Sequence, residues 1–323
     1  MNDTVEILLA TYNGEKFLSE QLESILNQTH KNIKIVICDD GSTDNTNKII
    51  EEYIKNHKNI FRRIEKSPEE IRGAKESFGA LIRSSTEDYV MFCDQDDVWL
   101  PNKIEATLTR MKNEEKKSGS KTPILIHTDL LVVDEKLNVI NHSFFKSQKI
   151  QNNNQTIAAA IIKNNVTGCT IMINKALISK IGKIPNAAIM HDWWLLLLGL
   201  TFGKILLVNE PLIKYRQHGK NTLGAKKEGI KGFAKQVQKI LHEISTKGNP
   251  VNKYVNQFDE FYSLYSNSMP TEKKEEFKKI KHALDEKSPI KRVFNLYKTG
   301  FKKNTIISNI GLYTFILFYN ASH

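Results

Sequence analysis

The first indication of the fold comes from residues 5–44, VEILLATYNGEKFLSEQLESILNQTHKNIKIVICDDGSTD. Val5–Ala10 and Ile33–Cys38 are short apolar runs, a composition typical of buried strands. Between them, residues 16–28 repeat leucine and isoleucine at helical spacing, with polar residues on the other positions. Gly41-Ser42-Thr43-Asp44 then supplies a turn and a helix N-cap. The stretch therefore predicts a strand–helix–strand unit of the kind that builds a parallel sheet.

The same alternation continues beyond residue 44. The pattern predicts helices over Ile49–Ile54, Lys75–Arg83 and Pro101–Lys116, and strands at Phe61–Ile64 and Tyr89–Cys93. After residue 116 it loosens, with strands predicted at Ile124–Thr128, Cys169–Ile173 and Ile205–Val208 and a very apolar helix at Asp192–Phe202. Repeated units of this length favour an α/β fold with a mostly parallel sheet and helices on both faces. Ligands of such sheets bind at the carboxyl ends of the strands.

Composition excludes several other classes of protein. The 323 residues are 40% hydrophobic and 26% charged, with 16 Gly and 8 Pro, which excludes collagen, low-complexity disorder and a disulfide scaffold. Three distant cysteines, Cys38, Cys93 and Cys169, have no metal-type spacing and are predicted to be reduced core thiols. The opening MNDTVEILLATYNG lacks a basic segment, so it predicts a strand rather than a signal peptide.

Charge divides the chain into two parts. Residues 1–222 hold 29 basic and 27 acidic residues, whereas residues 223–323 hold 18 and 9. We therefore expect a globular domain over 1–222 and a helical, basic C-terminal extension over 223–323. Its apolar segment, residues 306–319, is shorter than the roughly 20 residues of a spanning helix and follows five basic residues, Lys291, Arg292, Lys298, Lys302 and Lys303. Two interpretations stay open: an interfacial membrane anchor, or a helix packed on the body.

The densest acidic cluster is FCDQDDVW, residues 92–99, directly after a predicted strand. Asp94, Asp96 and Asp97 repel one another unless a cation or hydrogen-bond donors offset their charge. Asp94 and Asp96 lie two residues apart, so an extended backbone would point both the same way. Hard oxygen ligands select Mg²⁺ or Mn²⁺, which commonly bind substrate phosphates as well. The alternative is a solvated acidic turn that caps the helix after Pro101.

Two further polar clusters follow the first two predicted strands, Thr11-Tyr12-Asn13 and Asp39-Asp40-Gly41-Ser42. Asp40 is positioned to accept a hydrogen bond from a base or a ribose hydroxyl, and the Tyr12 ring to stack on a base. Each cluster alone is equally well explained as a helix cap or turn. Their common position at one predicted sheet edge favours a nucleotide site.

Taken in order, ATYNG (10–14), CDDGSTD (38–44) and DQDDVWLPNKI (94–104) resemble the family 2 glycosyltransferases. That family has the A-type fold, a Rossmann-like sheet with an Asp-x-Asp motif. HTDLLVVD (127–134), VTGCTIMIN (166–174), MHDWWLLLL (190–198) and YRQHGKNTLGA (215–225) are similar to its bacterial rhamnosyltransferase branch. The resemblance covers roughly residues 1–222. It implies a dTDP-rhamnose donor, and a lipid-linked glycan acceptor at the cytoplasmic face of the membrane, with a UDP-hexose donor as the alternative.

The resemblance also implies roles for individual residues. Those that would line the nucleotide pocket are Thr11, Tyr12, Asn13, Asp40, Arg72, Asp94 and Gln95. Asp94 would lie near both the ribose and a bound Mn²⁺ or Mg²⁺, and Asp96 would hold that ion against the diphosphate. Asp192 stands where the family carries its catalytic base, and His191 precedes it. Arg72 and Lys75 lie in IRGAKESF, where the family more often has an Asn-Gly pattern.

The chemistry of Asp192 also favours a role as general base. An attacking hydroxyl must lose its proton, and a carboxylate within about 3 Å can take it. Position alone favours an N-cap for the helix that follows, whereas the resemblance favours the catalytic base, and the two roles are compatible. His218 is a candidate third metal ligand or a solvated loop histidine. Trp99, Trp193 and Trp194 are candidates for stacking on acceptor sugars; of the adjacent pair, we expect one in the core and one at the acceptor cleft.

These assignments predict single-displacement transfer with inversion at the sugar. Other classes fit less well. A sugar-nucleotide pyrophosphorylase needs a Gly-rich, Arg-containing loop after the first strand, and a dinucleotide oxidoreductase needs Gly-x-Gly-x-x-Gly there; ATYNG provides neither. No recognised nucleic-acid-binding motif accompanies the basic tail, so nucleic acid is not expected as a partner. A non-catalytic protein that binds anionic surfaces remains the alternative of another kind.

Overall fold

The computed structural model describes residues 3–66, 72–148, 150, 155–218 and 248–319. Contacts divide the chain into two compact units. The first comprises Met1–Gln148, Val166–Ile184 and Met190–Gly224, and the second comprises Lys149–Asn165, Pro185–Ile189 and Ala225–His323. The boundary predicted between residues 222 and 223 lies outside the described residues.

The first unit alternates strands and helices over most of its length. Its strands are β1 Val5–Thr11, β2 Ile33–Asp39, β3 Phe61–Ile64, β4 Tyr89–Cys93, β5 Val98–Trp99, β6 Ile124–Val133, β7 Val139–Asn141, β8 Met172–Asn174 and β9 Lys204–Arg216. Its helices are α1 Leu18–Leu26, α2 Thr46–Asn56, α3 Ala74–Ser84, α4 Lys103–Ser118, α5 Phe144–Ser147, α7 Lys175–Ile181 and α8 His191–Phe202; α6, Ile157–Ile162, belongs to the second unit.

The strands form one sheet in the order β3-β2-β1-β4-β8-β6-β9-β5, with β7 paired to β6. The longer pairings, β1 with β2, β1 with β4, β2 with β3 and β6 with β9, are parallel. The shorter pairings of β8, β5 and β7 are antiparallel. The predicted α/β fold with a mostly parallel sheet is therefore confirmed. Its parallel half brings the ends of β1, β2 and β4 to one edge.

The core of the first unit lies under the central strands. Ile7, Ile35 and Met91, from β1, β2 and β4, are fully buried and belong to one hydrophobic cluster. Burying such a side chain contributes about 1.5–3 kcal/mol, so three adjacent apolar strands hold the sheet edge rigidly. All three cysteines lie in described segments and are buried free thiols, as predicted.

Three predicted elements differ from the structure. Gly168–Thr170 form a turn of 3₁₀ helix before β8, where the sequence predicts a strand from Cys169. The strand predicted at Ile205–Val208 is β9, which continues to Arg216 because it pairs with β6 and then with β5. Asn102 is the N-cap residue of α4, so Pro101 precedes the helix rather than entering its first turn.

The described part of the second unit is helical, and no strand is found in it. Besides α6 it contains α9 Asn252–Tyr265, α10 Thr271–Leu284, α11 Pro289–Lys298 and α12 Ile306–Leu317. Phe258 and Phe277, from α9 and α10, stack with ring centroids 5.5 Å apart and are fully buried. In the segments that the structure describes, no helix has the length and apolarity needed to cross a bilayer.

Candidate active site

The ends of β1 and β2 are joined through the carboxylate of Asp39. Its Oδ1 accepts hydrogen bonds from Thr11 Oγ1 at 2.8 Å and Ser42 Oγ at 2.6 Å. Its Oδ2 accepts from the backbone N–H groups of Gly41 at 3.0 Å and Ser42 at 2.8 Å. Burial opposes ionisation of Asp39, but the bonds from Ser42, Thr11 and Gly41 outweigh it and lower the pKa. Thr11 is itself 2% exposed, so it supports the sheet edge from beneath.

Gln95 clamps the backbone of Tyr12. The Gln95 side chain accepts from Tyr12 N and donates to Tyr12 O, both at 2.8 Å. This approach requires Gly14, because a Cβ there would lie 2.3 Å from Gln95 Oε1. The Tyr12 ring remains 54% exposed. The clamp therefore presents an aromatic face at the sheet edge, while the Gln95 amide is used within the protein.

Asn13, Asp40 and Arg72 complete this edge. Asn13 has a positive φ of 48°, and its Oδ1 accepts from Thr43 N at 2.8 Å, which links the two loops. Asp40 donates its backbone N–H to Thr11 O at 2.8 Å, and its carboxylate is ion-paired with Lys66. Arg72 is exposed, and its guanidinium packs against Gly41, 2.9 Å from where a Cβ would stand. The structure thus brings the predicted nucleotide residues together.

The acidic cluster follows β4 in a turn rather than in the extended segment that its spacing suggested. Asp94 is half-buried; loss of water and the nearby Asp96 and Asp192 carboxylates raise its pKa to about 7. Asp97 is fully buried, and burial together with Asp96 and Asp94 raises its pKa well above the usual value. The turn therefore gathers carboxyl groups beside Asp192, which lies about a hundred residues further along the chain, and their mutual repulsion favours the protonated form of Asp94 and Asp97.

Arg216, at the end of β9, holds this turn in place. Its backbone N–H donates to Asp97 Oδ1 at 3.1 Å, and its Nε donates to the Asp96 carbonyl at 2.8 Å. Its guanidinium also contacts Glu20 and the Glu135 carbonyl. The side chain is 2% exposed. A buried, multiply bonded arginine fixes the position of the acidic turn relative to the sheet.

A buried lysine lies beneath the acidic turn. Lys103 is fully buried, and its Nζ donates to the Cys169 carbonyl at 3.0 Å and lies 3.1 Å from the centroid of the Trp99 ring. Burial lowers its pKa to about 7, although Asp97 and Asp94 oppose that shift. Lys103 thus provides a local donor close to the acidic cluster.

The donor sets differ in their suitability for a divalent cation. One carboxylate oxygen each of Asp94 and Asp97 and the Cys169 sulfur lie within 4.8 Å of one another. Burial and these acids raise the pKa of Cys169 well above its usual value, so the thiol stays protonated and is a poor ligand. In contrast, Asp96 Oδ2 lies 2.8 Å from His218 Nε2. A carboxylate beside an imidazole suits Mn²⁺ or Mg²⁺ with further oxygen ligands, so Asp96 and His218 fit the predicted ion.

Asp192 lies in the first turn of α8. Its Oδ2 accepts from Gly168 N at 3.1 Å and its Oδ1 from Trp193 N at 2.6 Å. The two bonds orient the carboxylate. Gly168 immediately precedes Cys169, whose sulfur lies within 4.8 Å of carboxylate oxygens of Asp94 and Asp97, so Asp192 is held close to the acidic turn. Asp192 is half-buried, so one side of it remains accessible.

His191, immediately before Asp192, is packed between aromatic rings. It is 4% exposed, and its ring centroid lies 3.9 Å from that of Phe78 and 5.4 Å from that of Phe92. Burial lowers its pKa to about 3, so the imidazole is neutral at ordinary pH. Among the described residues neither ring nitrogen has a hydrogen-bond partner. The packing anchors the start of α8.

The three tryptophans separate by burial. Trp194 is fully buried and Trp99 is 2% exposed, so neither ring presents a face to an acceptor in this structure. Trp193 is half-buried. The two adjacent residues do face differently, with Trp194 in the core, so Trp193 is the tryptophan that stays a candidate for acceptor contact.

Comparison with known proteins identifies the family. Residues 6–179 match the domain described as Glycosyl transferase family 2, more than half of the chain. The chain belongs to glycosyltransferase family 2. The family 2 enzyme resembles the dTDP-rhamnosyl transferase RfbG of Shigella flexneri, with 30% identity over 259 residues, 73% of this chain and 84% of that protein. The predicted family and enzyme class are confirmed.

Solved structures show the same fold. The mannosyltransferase PcManGT of Pyrobaculum calidifontis, in complex with GDP-Man and Mn²⁺, aligns with a TM-score of 0.52 at 13% identity, covering 98% of this glycosyltransferase and 86% of that chain. TarS 1–349 of S. aureus, in complex with UDP-GlcNAc, aligns with a TM-score of 0.50 at 14% identity, covering 98% and 90%. The predicted A-type fold is therefore confirmed.

Sequence reasoning missed three residues that organise the site of this family 2 enzyme. Asp39 was indistinguishable from Asp40, because both acids follow the predicted strand Ile33–Cys38. Arg216 and Lys103 were present in quoted motifs, YRQH and LPNK, but burial of a charged side chain has no local sequence signature. The local signal was limited to a cation close in sequence to a candidate residue, since Arg216 lies two residues from His218 and Lys103 four residues from Trp99.

Proposed function

We propose that this glycosyltransferase moves a sugar, with inversion, from a nucleoside-diphosphate donor to a hydroxyl of a growing lipid-linked bacterial surface polysaccharide. The proposed donor is dTDP-rhamnose. The observation that carries the reaction is Asp192, held by Gly168 and Trp193 backbone N–H groups beside the acidic turn after β4. An oriented carboxylate next to a candidate site for the donor diphosphate is the arrangement that inverting transfer requires.

In the proposed reaction the acceptor oxygen attacks the anomeric carbon on the face opposite the diphosphate. The new C–O bond forms as the bond from carbon to diphosphate oxygen breaks, and Asp192 takes the hydroxyl proton. The nucleoside diphosphate leaves with the electron pair. Nothing in this scheme requires a covalent sugar–enzyme intermediate. Trp193 is the proposed contact for the acceptor.

The chain's own residues bind the donor in this proposal. Tyr12 offers its exposed ring to the base, and the edge formed by Asn13 and Asp40 faces the ribose. Arg72 provides a cation at Gly41 for the phosphates. A divalent ion held by Asp96 and His218, with Asp94 nearby, would offset the charge that develops on the diphosphate. Mn²⁺ and Mg²⁺ both suit these ligands.

The donor assignment rests on the similarity to the Shigella flexneri dTDP-rhamnosyl transferase. A UDP-hexose donor with the same mechanism is the alternative. A panel of dTDP-rhamnose, UDP-glucose, UDP-GlcNAc and GDP-mannose, tested for Mn²⁺-dependent binding by calorimetry and for slow hydrolysis, distinguishes them. Tightest binding of dTDP-rhamnose supports the proposal, and preference for a UDP-hexose replaces the donor. Absence of binding to every member would refute the nucleotide site.

Asp192→Asn tests the base directly. The amide keeps the size of the carboxylate but cannot take a proton, so we expect kcat to fall by about 10²–10⁴-fold with the donor Kd unchanged. Asp88→Asn is the matched control, since Asp88 is exposed and paired with Lys175. A near-normal kcat in the Asp192 variant would place the base elsewhere. Asp96→Ala should lose both ion dependence and donor affinity.

Because the proposed acceptor is lipid-linked, we also propose that the enzyme works at the cytoplasmic face of the membrane as a peripheral protein. The basic C-terminal extension supports this location. Part of that extension, residues 223–247, lies outside the described residues.

A further inference from the structure

Two helices of the second unit leave apolar side chains uncovered. On α11, Ile290, Phe294 and Tyr297 are 77%, 56% and 57% exposed. At about 100° of rotation per residue, the three fall within ~60° of one another on the helix. An amphipathic helix in a water-soluble unit normally turns such a stripe towards the core. Here the core side is occupied instead by Leu296, which is fully buried.

A second apolar stripe lies on α12. Ile306, Ile310 and Leu317 are 81%, 39% and 39% exposed and again share one side of their helix. Tyr313 lies on the same side, and its ring meets that of Tyr297 with centroids 6.3 Å apart. The tyrosine pair therefore joins the two stripes. We call the side chains of Ile290, Phe294, Tyr297, Ile306, Ile310 and Leu317 the apolar face.

Hydrogen bonds fix the two helices relative to each other. Arg292 of α11 is 3% exposed, and its guanidinium donates to the Ile316 carbonyl and to the Tyr319 carbonyl at the end of α12. Tyr313 Oη donates to the Phe301 carbonyl at 2.9 Å in the connecting segment. The side chains of the apolar face are consequently held in fixed positions relative to one another.

Positive charge borders the apolar face, and residues 287–323 contain no acidic residue. Lys291 and Lys298 are exposed on α11, displaced to one side of its apolar stripe, and Lys287 is exposed just before the helix begins. Lys298 Nζ lies 4.2 Å from the centroid of the Phe294 ring. Lys302 is exposed in the segment between the helices. Lysine stems can lie along the apolar face while their ammonium groups reach outward.

The apolar face with its lysine border favours one kind of binding partner over others. A second copy of the chain would bring two lysine-rich borders together, so charge disfavours self-association through this face. Nucleic acid would use the lysines but leave six aliphatic or aromatic side chains in contact with water. An anionic lipid surface matches both features, because acyl chains take the apolar side chains and headgroup phosphates take the lysines.

We propose that the apolar face and Lys287, Lys291, Lys298 and Lys302 form a docking surface for anionic lipid. The surface assigns membrane contact to α11 and α12 together rather than to the apolar segment 306–319 alone. It makes no use of the donor or of Asp192. Failure of this proposal would therefore leave the proposed transferase reaction intact.

Vesicle sedimentation of the whole chain, without any sugar nucleotide, tests the proposal. We expect binding to phosphatidylcholine vesicles that contain phosphatidylglycerol, weak binding to phosphatidylcholine alone, and loss of binding at high salt. Phe294→Ser with Tyr297→Ser should weaken binding at least ~10-fold. Lys291→Glu with Lys298→Glu should weaken it ~25-fold or more, since each lysine near the surface contributes roughly fivefold.

Matched control variants distinguish binding through this surface from non-specific effects of any exposed apolar side chain or of net charge. Leu264→Ser removes an apolar side chain that is 52% exposed on α9. Lys55→Glu with Lys58→Glu makes the same charge change on exposed residues of the first unit. Both controls should bind vesicles like the unaltered chain. Equal loss in the controls and the test variants would overturn the proposal.

A fluorescence measurement tests the same proposal without relying on variants that lose binding. Because the native cysteines are buried, an environment-sensitive dye on Ile290→Cys reports one site. We expect a blue shift with anionic vesicles, and none for the dye on Leu264→Cys. The absence of a shift at residue 290 would refute the docking surface. If the chain forms dimers that Phe294→Ser abolishes, the apolar face binds a second copy of the chain instead. If the chain binds duplex DNA and does not respond to vesicles, the face belongs to a nucleic-acid site instead.

Discussion

Asp39 is the carboxylate whose removal should most clearly separate support of the sheet edge from contact with the donor. Its side chain is 8% exposed and accepts four hydrogen bonds, two from backbone N–H groups and two from hydroxyls. Asp39→Ala leaves the N–H groups of Gly41 and Ser42 without this acceptor. At about 1–2 kcal/mol for each, we expect a loss of ~2–4 kcal/mol in the free energy of unfolding.

Asp39→Asn should cost much less. Its amide oxygen can take the place of Oδ2 opposite the two N–H groups, and its NH₂ can donate to the hydroxyls of Thr11 and Ser42, which rotate to accept. Only the charge assistance is lost, so we expect about 1 kcal/mol. Urea denaturation of the two variants, followed by circular dichroism, measures the difference. An Asn variant as unstable as the Ala variant, or an Ala variant within 1 kcal/mol of the unaltered chain, would refute this account.

The pH dependence gives an independent check with a definite sign. The pKa of Asp39 is lower in the folded protein than in the unfolded chain, so the unfolded chain binds more protons in the acid range. The contribution to stability is complete above about pH 4 and is lost as the pH falls through the folded pKa. Asp39→Asn should flatten that part of the stability curve. Asp40→Asn, at the neighbouring position, should reduce donor affinity more than stability.

Three other perturbations test the region around α8. Gly168→Ala places a Cβ 2.9 Å from His191 Nε2, and the aromatic rings packed against His191 prevent that ring from moving aside. We expect the variant to lose ~1–3 kcal/mol of stability in denaturation experiments and to have a lower kcat in transfer assays. Gly311→Ala meets open space in a helix and should instead stabilise the chain by up to ~1 kcal/mol. His191 has a pKa lowered to about 3, so the folded state excludes a proton that the unfolded chain binds below about pH 6.5. Its burial should cost about 2 kcal/mol of stability at pH 5, and His191→Phe should remove that acid sensitivity in pH-dependent denaturation; an unchanged slope would contradict the burial. Trp194→Ala should lose ~3–5 kcal/mol of stability, and Trp193→Ala should instead raise the acceptor KM while leaving stability nearly unchanged; the reverse order would exchange their roles.

The sheet and the edge that carries the candidate site were largely predictable. Runs such as Val5–Ala10 and Ile33–Cys38 are apolar because both faces of a central strand are covered, and that composition is visible locally. Once the strands are parallel, the residues that follow them must meet at one edge. This is why the clusters at 11–13, 39–42 and 94–97 could be assigned to one site before any geometry was known.

The sequence did not predict which partner each acidic residue of a cluster binds. Asp39 and Asp40 are adjacent and chemically identical, but one is bonded to Thr11 and Ser42 and the other to Lys66. The same holds for the acidic turn, where Asp96 meets His218 and Asp97 is buried against Arg216. The partners lie up to 122 residues away, so no local pattern contains them.

By itself, the sequence determined the order of strands and helices, the family and the chemical types gathered at the sheet edge, because each depends on residues close together in the chain. The tertiary structure alone decided which partner each carboxylate binds, which tryptophan is in the core, and that α11 and α12 combine into one apolar face. Burial and hydrogen-bond partnership depend on segments distant in sequence, and packing brings those segments together only in the folded chain.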